Sequence, residues 1–108
     1  MDWLAILVAG LFEVAFAVCL KLSDGLSRLW PTVGFLIASL MSFVFLSYAI
    51  KTIPIGNAYV VWTGIGAVGT TIVGILAFQE PSSLLRYVGI ALVIAGISVL
   101  NIHVAVAA

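Results

Sequence analysis

The feature that most constrains this chain is an apolar stretch at residues 3–20, WLAILVAGLFEVAFAVCL, whose one ionisable side chain other than the cysteine is Glu13. A helix needs roughly 20 apolar residues to cross a bilayer, so this stretch is long enough to span one. At about 1.5 Å per residue, Glu13 lies about 15 Å from the start of that helix, near the middle of the hydrocarbon core. A carboxylate there is costly unless it is protonated, hydrated or paired. We therefore expect the chain to present Glu13 to a group that replaces its proton.

The composition extends this interpretation to the whole chain. Of the 108 residues, 65% are hydrophobic and 7% are charged, against about 25% charged in soluble domains. We predict an all-α integral membrane protein, with one domain at 1–108. Its four transmembrane helices are expected at about 3–21, 31–50, 57–78 and 84–103. The net charge of zero argues against nucleic-acid binding.

Short connections predict that neighbouring helices are antiparallel. The first and third connections then share one side of the membrane and hold Lys21, Arg28 and Arg86, while Lys51 and the terminal amine lie on the other side. This difference in positive charge is small, and it is compatible with insertion in both orientations.

Glycines mark the third and fourth helices. Gly64 and Gly66 predict a bend in the third helix, because glycine weakens helix rigidity. Gly89 and Gly96 are seven residues apart and share a face, which we interpret as a dimer interface. The alternative is that glycines are simply frequent in membrane helices.

Several residues are candidates for a site around Glu13. Gly10 shares its helix face and leaves space for a ligand or water. Ser42 lies midway along the second helix, although many membrane serines bond back to their own helix. Tyr59 and Trp62 share a face of the third helix and offer aromatic surface to a cation, or they belong to an interfacial aromatic belt. Glu13 itself could instead be structural, hydrogen-bonded to a neighbouring helix.

The constellations of soluble enzymes are missing from the sequence. It contains no metal-ligand cluster, no nucleophile–base pair and no phosphate-binding loop. We therefore predict a protein that is not an enzyme and that uses neither a metal nor an organic cofactor.

Several motifs, taken together, are highly specific. They are Lys21 followed by SDG at 23–25, RLWP at 28–31, IPIGNAY at 53–59 and WTGIG at 62–66. With Glu13 in the middle of the first helix, the chain resembles the small multidrug resistance family of bacterial exporters over essentially its whole length. The resemblance implies an antiparallel, dual-topology homodimer in the cytoplasmic membrane, with both glutamates in one central site that exchanges protons for cations. Pairing with a related second subunit is left open.

Within that family, residues 62–69, Ser42 and Lys51 resemble the guanidinium exporter subtype. The resemblance implies that Ser42 orients Glu13, that Trp62 packs beside the site and that Tyr59 gates it or hydrogen-bonds within it. The sequence departs from the subtype at Phe16, where tryptophan is usual and where phenylalanine has no hydrogen-bond donor.

We therefore expect a proton-coupled antiporter for guanidinium or small substituted guanidinium cations, with Phe16 bordering the site and widening the range of cations. One alternative is a broad-specificity exporter of quaternary ammonium compounds from the same family. Another, of a different class, is a non-transporting membrane assembly subunit that uses Glu13 for helix association.

Overall fold

The computed structural model describes the backbone of residues 2–107 and the side chains of residues 2–102. Within that part of the chain it contains four long helices, α1 (Asp2–Leu22), α2 (Leu29–Ala49), α3 (Ile55–Ala77) and α4 (Leu84–Ala107). Each is long and apolar enough to cross a membrane. The predicted all-α protein with four spans is confirmed.

Two helices begin two residues earlier than the sequence pattern predicts. At the start of α2, the carbonyl of Arg28 accepts hydrogen bonds from the Thr32 N–H at 3.2 Å and from Thr32 Oγ1 at 2.6 Å. Pro31 therefore lies inside the first turn, where its missing N–H would have no partner in any case. At the start of α3, the carbonyl of Pro54 accepts from the Ala58 N–H at 3.0 Å. Both prolines start a helix without interrupting it.

The connection between α1 and α2 is a tight turn organised by Ser23, which is fully buried. Its hydroxyl donates to the Leu20 carbonyl at 2.6 Å and accepts from the Leu26 N–H at 3.0 Å. Three consecutive residues, Asp24, Gly25 and Leu26, have φ angles of 49°, 73° and 67°. This left-handed segment reverses the chain within a few residues, so α1 and α2 pack as antiparallel neighbours.

The core lies where α1 packs against α2 and α3. Small side chains let the backbones approach closely. A Cβ atom built on Gly10 would lie 2.5 Å from Cγ2 of Ile65, and one built on Gly69 would lie 2.5 Å from Cγ2 of Val14. These contacts hold the middle of α1 against the middle of α3, and Glu13 lies between them.

Helix α4 contacts only α3 within the described residues. Near one end of α4, the amide Nδ2 of Asn57 lies 3.3 Å from both the Leu100 carbonyl and Oδ1 of Asn101. At its other end, Arg86 forms a salt bridge of 3.1 Å with Glu80. The side chains of α4 up to residue 102 are otherwise largely exposed, so most of the α4 surface is left uncovered by its own protomer.

Candidate functional site

The carboxyl group of Glu13 points from α1 towards α3 and lies against Gly66. A Cβ atom on Gly66 would overlap the carboxyl oxygen Oε1 of Glu13, so the contact requires glycine. This Oε1 is buried and has no hydrogen-bond partner among the described residues. Because buried polar atoms are almost always hydrogen-bonded, an unpartnered carboxyl oxygen in the middle of a helix bundle calls for a functional explanation.

A buried hydrogen-bond chain joins the three helices around this carboxyl group. Ser42 Oγ on α2 donates to the Ala9 carbonyl of α1 at 2.7 Å and accepts from Nε1 of Trp62 on α3 at 2.9 Å. In an α-helix, the Ala9 carbonyl is also the acceptor for the N–H of residue 13. Ser42 therefore fixes the backbone of the turn that carries Glu13. Its hydrogen bonds go to Ala9 and Trp62 and not to the Glu13 carboxyl group, so any orientation of Glu13 by Ser42 acts through the α1 backbone.

Aromatic rings extend from Phe16 to Tyr59 along one side of the site. The Phe16 ring meets Phe35 edge-to-face at a centroid distance of 5.8 Å and lies 6.4 Å from Phe43. Phe43 continues to Trp62 at 5.7 Å, and Trp62 to Tyr59 at 5.6 Å. We call these five rings the aromatic run. It provides a continuous apolar surface with polarisable ring faces.

The aromatic run passes from the interior of the protomer to its surface. Trp62 is 7% exposed, whereas Tyr59 is 54% exposed and Phe43 is 52% exposed. Phe35 and Phe43 were not singled out from the sequence. Phe35 is seven residues before Ser42 and shares its face of α2, and Phe43 follows Ser42 directly in the sequence. These spacings are the signal that could have found them.

The predicted glycines occupy two kinds of environment. Gly64 and Gly66 are buried contact positions in α3, Gly64 against Ile97 of α4 and Gly66 against Glu13. Helix α3 continues through both positions, and the bend stays a prediction. Gly89 and Gly96 lie on exposed positions of α4 with no atom within 4 Å of a built Cβ. The dimer interface also stays a prediction.

No lysine or arginine of the described residues neutralises Glu13. The salt bridge found in that part of the chain joins Arg86 to Glu80, in the connection between α3 and α4. The charge of an ionised Glu13 would therefore have to be balanced by a proton or by a mobile cation. The aromatic run supplies ring faces of the kind that attract organic cations. Fold and site together define a multi-pass membrane protein built around an intramembrane carboxyl group.

Residues 1–93 match the protein family described as Small Multidrug Resistance protein, and the chain belongs to that family. Its relatives include a guanidinium exporter of Yersinia pseudotuberculosis serotype I (strain IP32953), 50% identical over 97 residues that cover 90% of this chain and 93% of that protein. A guanidinium exporter of Salmonella typhimurium (strain LT2) is 48% identical, covering 90% of this chain and 92% of the relative. A guanidinium exporter of Citrobacter freundii is 46% identical with the same two coverages.

The family and these relatives confirm the predicted resemblance. The relatives are named as exporters, and together with the family they indicate a transporter and not an enzyme.

Proposed function

We propose that this protein is a proton-coupled antiporter that exports guanidinium or small substituted guanidinium cations. The observation that carries the proposal is the buried, unpartnered carboxyl oxygen of Glu13 against Gly66. The names of the relatives, guanidinium exporters at 46–50% identity, support the choice of substrate.

Exchange follows from the chemistry of a single carboxyl group. A buried carboxylate is stabilised by a proton or by a cation. Protonation neutralises the charge that attracts the cation, so each of the two weakens binding of the other. Planar guanidinium suits this group because its N–H donors fork onto carboxylate oxygens. The faces of Trp62 and Phe43 would pack against the plane of the cation. Release of the cation then lets Glu13 bind a proton, and release of the proton lets it bind the next cation.

The hydrogen-bond chain through Ser42 supports this role without touching the carboxyl group. It fixes the Glu13 turn of α1 relative to α2 and α3. The carboxyl group is then free to form hydrogen bonds with the cation. We assign Ser42 and Trp62 as positioning residues, and Tyr59, at the exposed end of the aromatic run, as the residue that gates or contacts the cation.

Phe16 is expected to widen the range of cations. Its ring packs on Phe35 and Phe43 and adds no donor to the site. A site held by fewer hydrogen bonds discriminates less sharply against cations that lack N–H groups, since fewer polar groups lose their partners when such a cation binds. Singly substituted guanidiniums with an apolar tail suit the surface of the aromatic run.

We further propose that the active unit is an antiparallel homodimer in the bacterial cytoplasmic membrane, with both Glu13 side chains in one central site. Support comes from α4, which contacts only α3 in the described residues and exposes Gly89 and Gly96. The connections on the two sides of the membrane differ little in positive charge, which is compatible with insertion in both orientations. Transport by this protein purified alone would exclude an obligatory second subunit.

The test is a proteoliposome experiment with the purified protein. Wild type should carry guanidinium against a proton gradient, and Glu13→Gln should abolish this exchange because the amide cannot titrate. The matched control is Glu80→Gln, since Glu80 is held by Arg86 outside the site. Transport of tetrapropylammonium but not guanidinium would favour the quaternary ammonium exporter. No cation movement by well-folded wild type would favour an assembly subunit, and gradient-driven exchange by Glu13→Gln would refute the assignment of Glu13.

A further inference from the structure

An apolar recess lies between α1 and α2, on the side of α1 that faces away from Glu13. It has a volume of about 330 Å³ and is lined by Leu4, Ala5, Val8, Val44, Phe45 and Tyr48. We call it the α1–α2 groove. At 100° per residue, Leu4 and Val8 are rotated by roughly 180° and 140° around α1 from Glu13. The groove is therefore separate from the site proposed for the exported cation.

One end of the groove is marked by a cationic side chain. Nζ of Lys51 lies 5.9 Å from the centroid of the Tyr48 ring, and Tyr48 lines the groove. Lys51 follows the end of α2 and is exposed. It forms no salt bridge with any residue that the structure describes. An apolar groove thus ends beside an ammonium group that has no salt-bridge partner among the side chains of residues 2–102.

The nearby acidic side chain is held by other contacts. Oδ2 of Asp2 accepts a hydrogen bond from Thr52 Oγ1 at 2.5 Å. Asp2 also lies in the first turn of α1, where the helix dipole favours a negative charge. Asp2 is thus engaged with Thr52, and no salt bridge joins it to Lys51 among the described residues. Lys51 is the basic side chain beside this end of the groove.

We propose that the α1–α2 groove and Lys51 form a binding site for an anionic phospholipid, with one acyl chain in the groove and the phosphate beside Lys51. The groove volume is about ten times the roughly 30 Å³ of one water molecule, and a methylene group is of similar size. A segment of acyl chain therefore fits. Tyr48 lies at the junction of the two parts, and tyrosine is common where hydrocarbon meets headgroups.

Charge decides between classes of phospholipid. A lysine near the membrane surface attracts anionic lipids, and the attraction corresponds to roughly a fivefold preference. The quaternary ammonium group of phosphatidylcholine competes with Lys51 for the phosphate, whereas phosphatidylglycerol has no cationic group. The site should therefore prefer phosphatidylglycerol to phosphatidylcholine with the same acyl chains.

The experiment measures binding of dioleoylphosphatidylglycerol and dioleoylphosphatidylcholine to the purified, full-length protein in detergent, by native mass spectrometry. Wild type should bind the anionic lipid about fivefold more tightly. Lys51→Gln should remove this preference, and Lys51→Arg should keep it because the charge is retained. Val44→Trp should weaken binding of both lipids by filling the groove. Val44 is 52% exposed, so a larger ring there is compatible with folding.

The matched control is Lys21→Gln. Lys21 lies 5.6 Å from the Phe78 ring and is also cationic, but Phe78 does not line the groove. This variant should keep the wild-type preference. Equal affinities of wild type for the two lipids would overturn the proposal, as would an equal loss of preference in Lys21→Gln. Unchanged lipid binding in Val44→Trp would show that the groove does not hold the lipid. Loss of oligomers in Val44→Trp, together with no lipid preference in wild type, would assign the groove to a second copy of the chain.

Discussion

The carboxyl group of Glu13 on α1 lies directly against the backbone of Gly66 on α3, in space that any other residue at position 66 would fill. Two further close contacts hold the helices together on either side of this one, between Gly10 and Ile65 and between Gly69 and Val14. The carboxyl group is thus placed by the absence of a side chain on the neighbouring helix. Its position depends on α3 as much as on its own helix.

Gly66→Ala is expected to displace the Glu13 carboxyl group and to lower guanidinium transport by about fivefold or more, because overpacking a close contact costs about 1–3 kcal/mol. The measurement is transport current in proteoliposomes, with helical content checked by circular dichroism. The control is Gly56→Ala in the first turn of α3, where a built Cβ meets no atom within 4 Å. Wild-type currents in Gly66→Ala would show that this contact does not position Glu13.

Substitutions of Ser42 and Trp62 are expected to have coupled effects on the free energy of unfolding, because the two side chains share a buried hydrogen bond. Ser42→Ala leaves the buried Trp62 N–H without its acceptor and should cost about 1–3 kcal/mol. Trp62→Phe removes the donor together with part of the ring. The double variant should therefore lose less stability than the sum of the two single variants, by about 0.5–3 kcal/mol. Unfolding in mixed micelles measures this coupling, and strict additivity would contradict it.

Phe16→Trp is expected to narrow the range of exported cations. An indole N–H beside Glu13 can donate to the carboxyl group or to a neighbouring acceptor and so order the oxygens of the site. Guanidinium N–H groups can donate to those ordered oxygens, whereas tetrapropylammonium has no N–H group. The measurement compares currents for guanidinium, phenylguanidinium and tetrapropylammonium. Phe12→Trp is the matched control. The Phe12 ring stacks on Phe45 at a centroid distance of 6.0 Å, and neither ring belongs to the aromatic run. If wild type and Phe16→Trp rank the three cations in the same order and with the same ratios of current, Phe16 does not contribute to selectivity.

Gly96→Leu on α4 is expected to weaken dimerisation while leaving the protomer folded. No atom lies within 4 Å of a Cβ at this position, so the protomer has room for the side chain, whereas a close helix–helix interface does not. Cross-linking in membranes measures the dimer. Ala91→Leu is the control, because Ala91 is exposed and lies on a different face of α4 from Gly96. A stable dimer in Gly96→Leu would show that the dimer interface does not include the face of α4 that carries Gly96.

Dual topology gives a separate expectation. A cysteine introduced by Ser82→Cys in the α3–α4 connection, in a Cys19→Ala background, should react with membrane-impermeant reagents from both sides of the membrane. Ser82 is exposed, so its reactivity reports orientation. Labelling from one side only would exclude an antiparallel homodimer.

The sequence by itself determined the class of the fold. Four apolar runs separated by prolines and charges leave few alternatives to four membrane-spanning helices, since a bilayer leaves no partner for unpaired backbone groups. It also determined that Glu13 is unusual, because one carboxyl group stands in an apolar span at mid-depth. The sequence did not determine the exact helix starts, since Pro31 and Pro54 mark the region of a start without defining its first residue.

Only the tertiary structure decided what each candidate residue touches. Periodicity places Ser42 on a helix face, but the register of α2 against α1 and α3 decides that its hydroxyl meets Ala9 and Trp62 and not the Glu13 carboxyl group. Periodicity likewise cannot show that Gly66 makes room for Glu13, because that contact joins residues far apart in the chain. Side-chain spacing within a helix follows from the sequence, whereas contacts between helices follow from how their surfaces pack together.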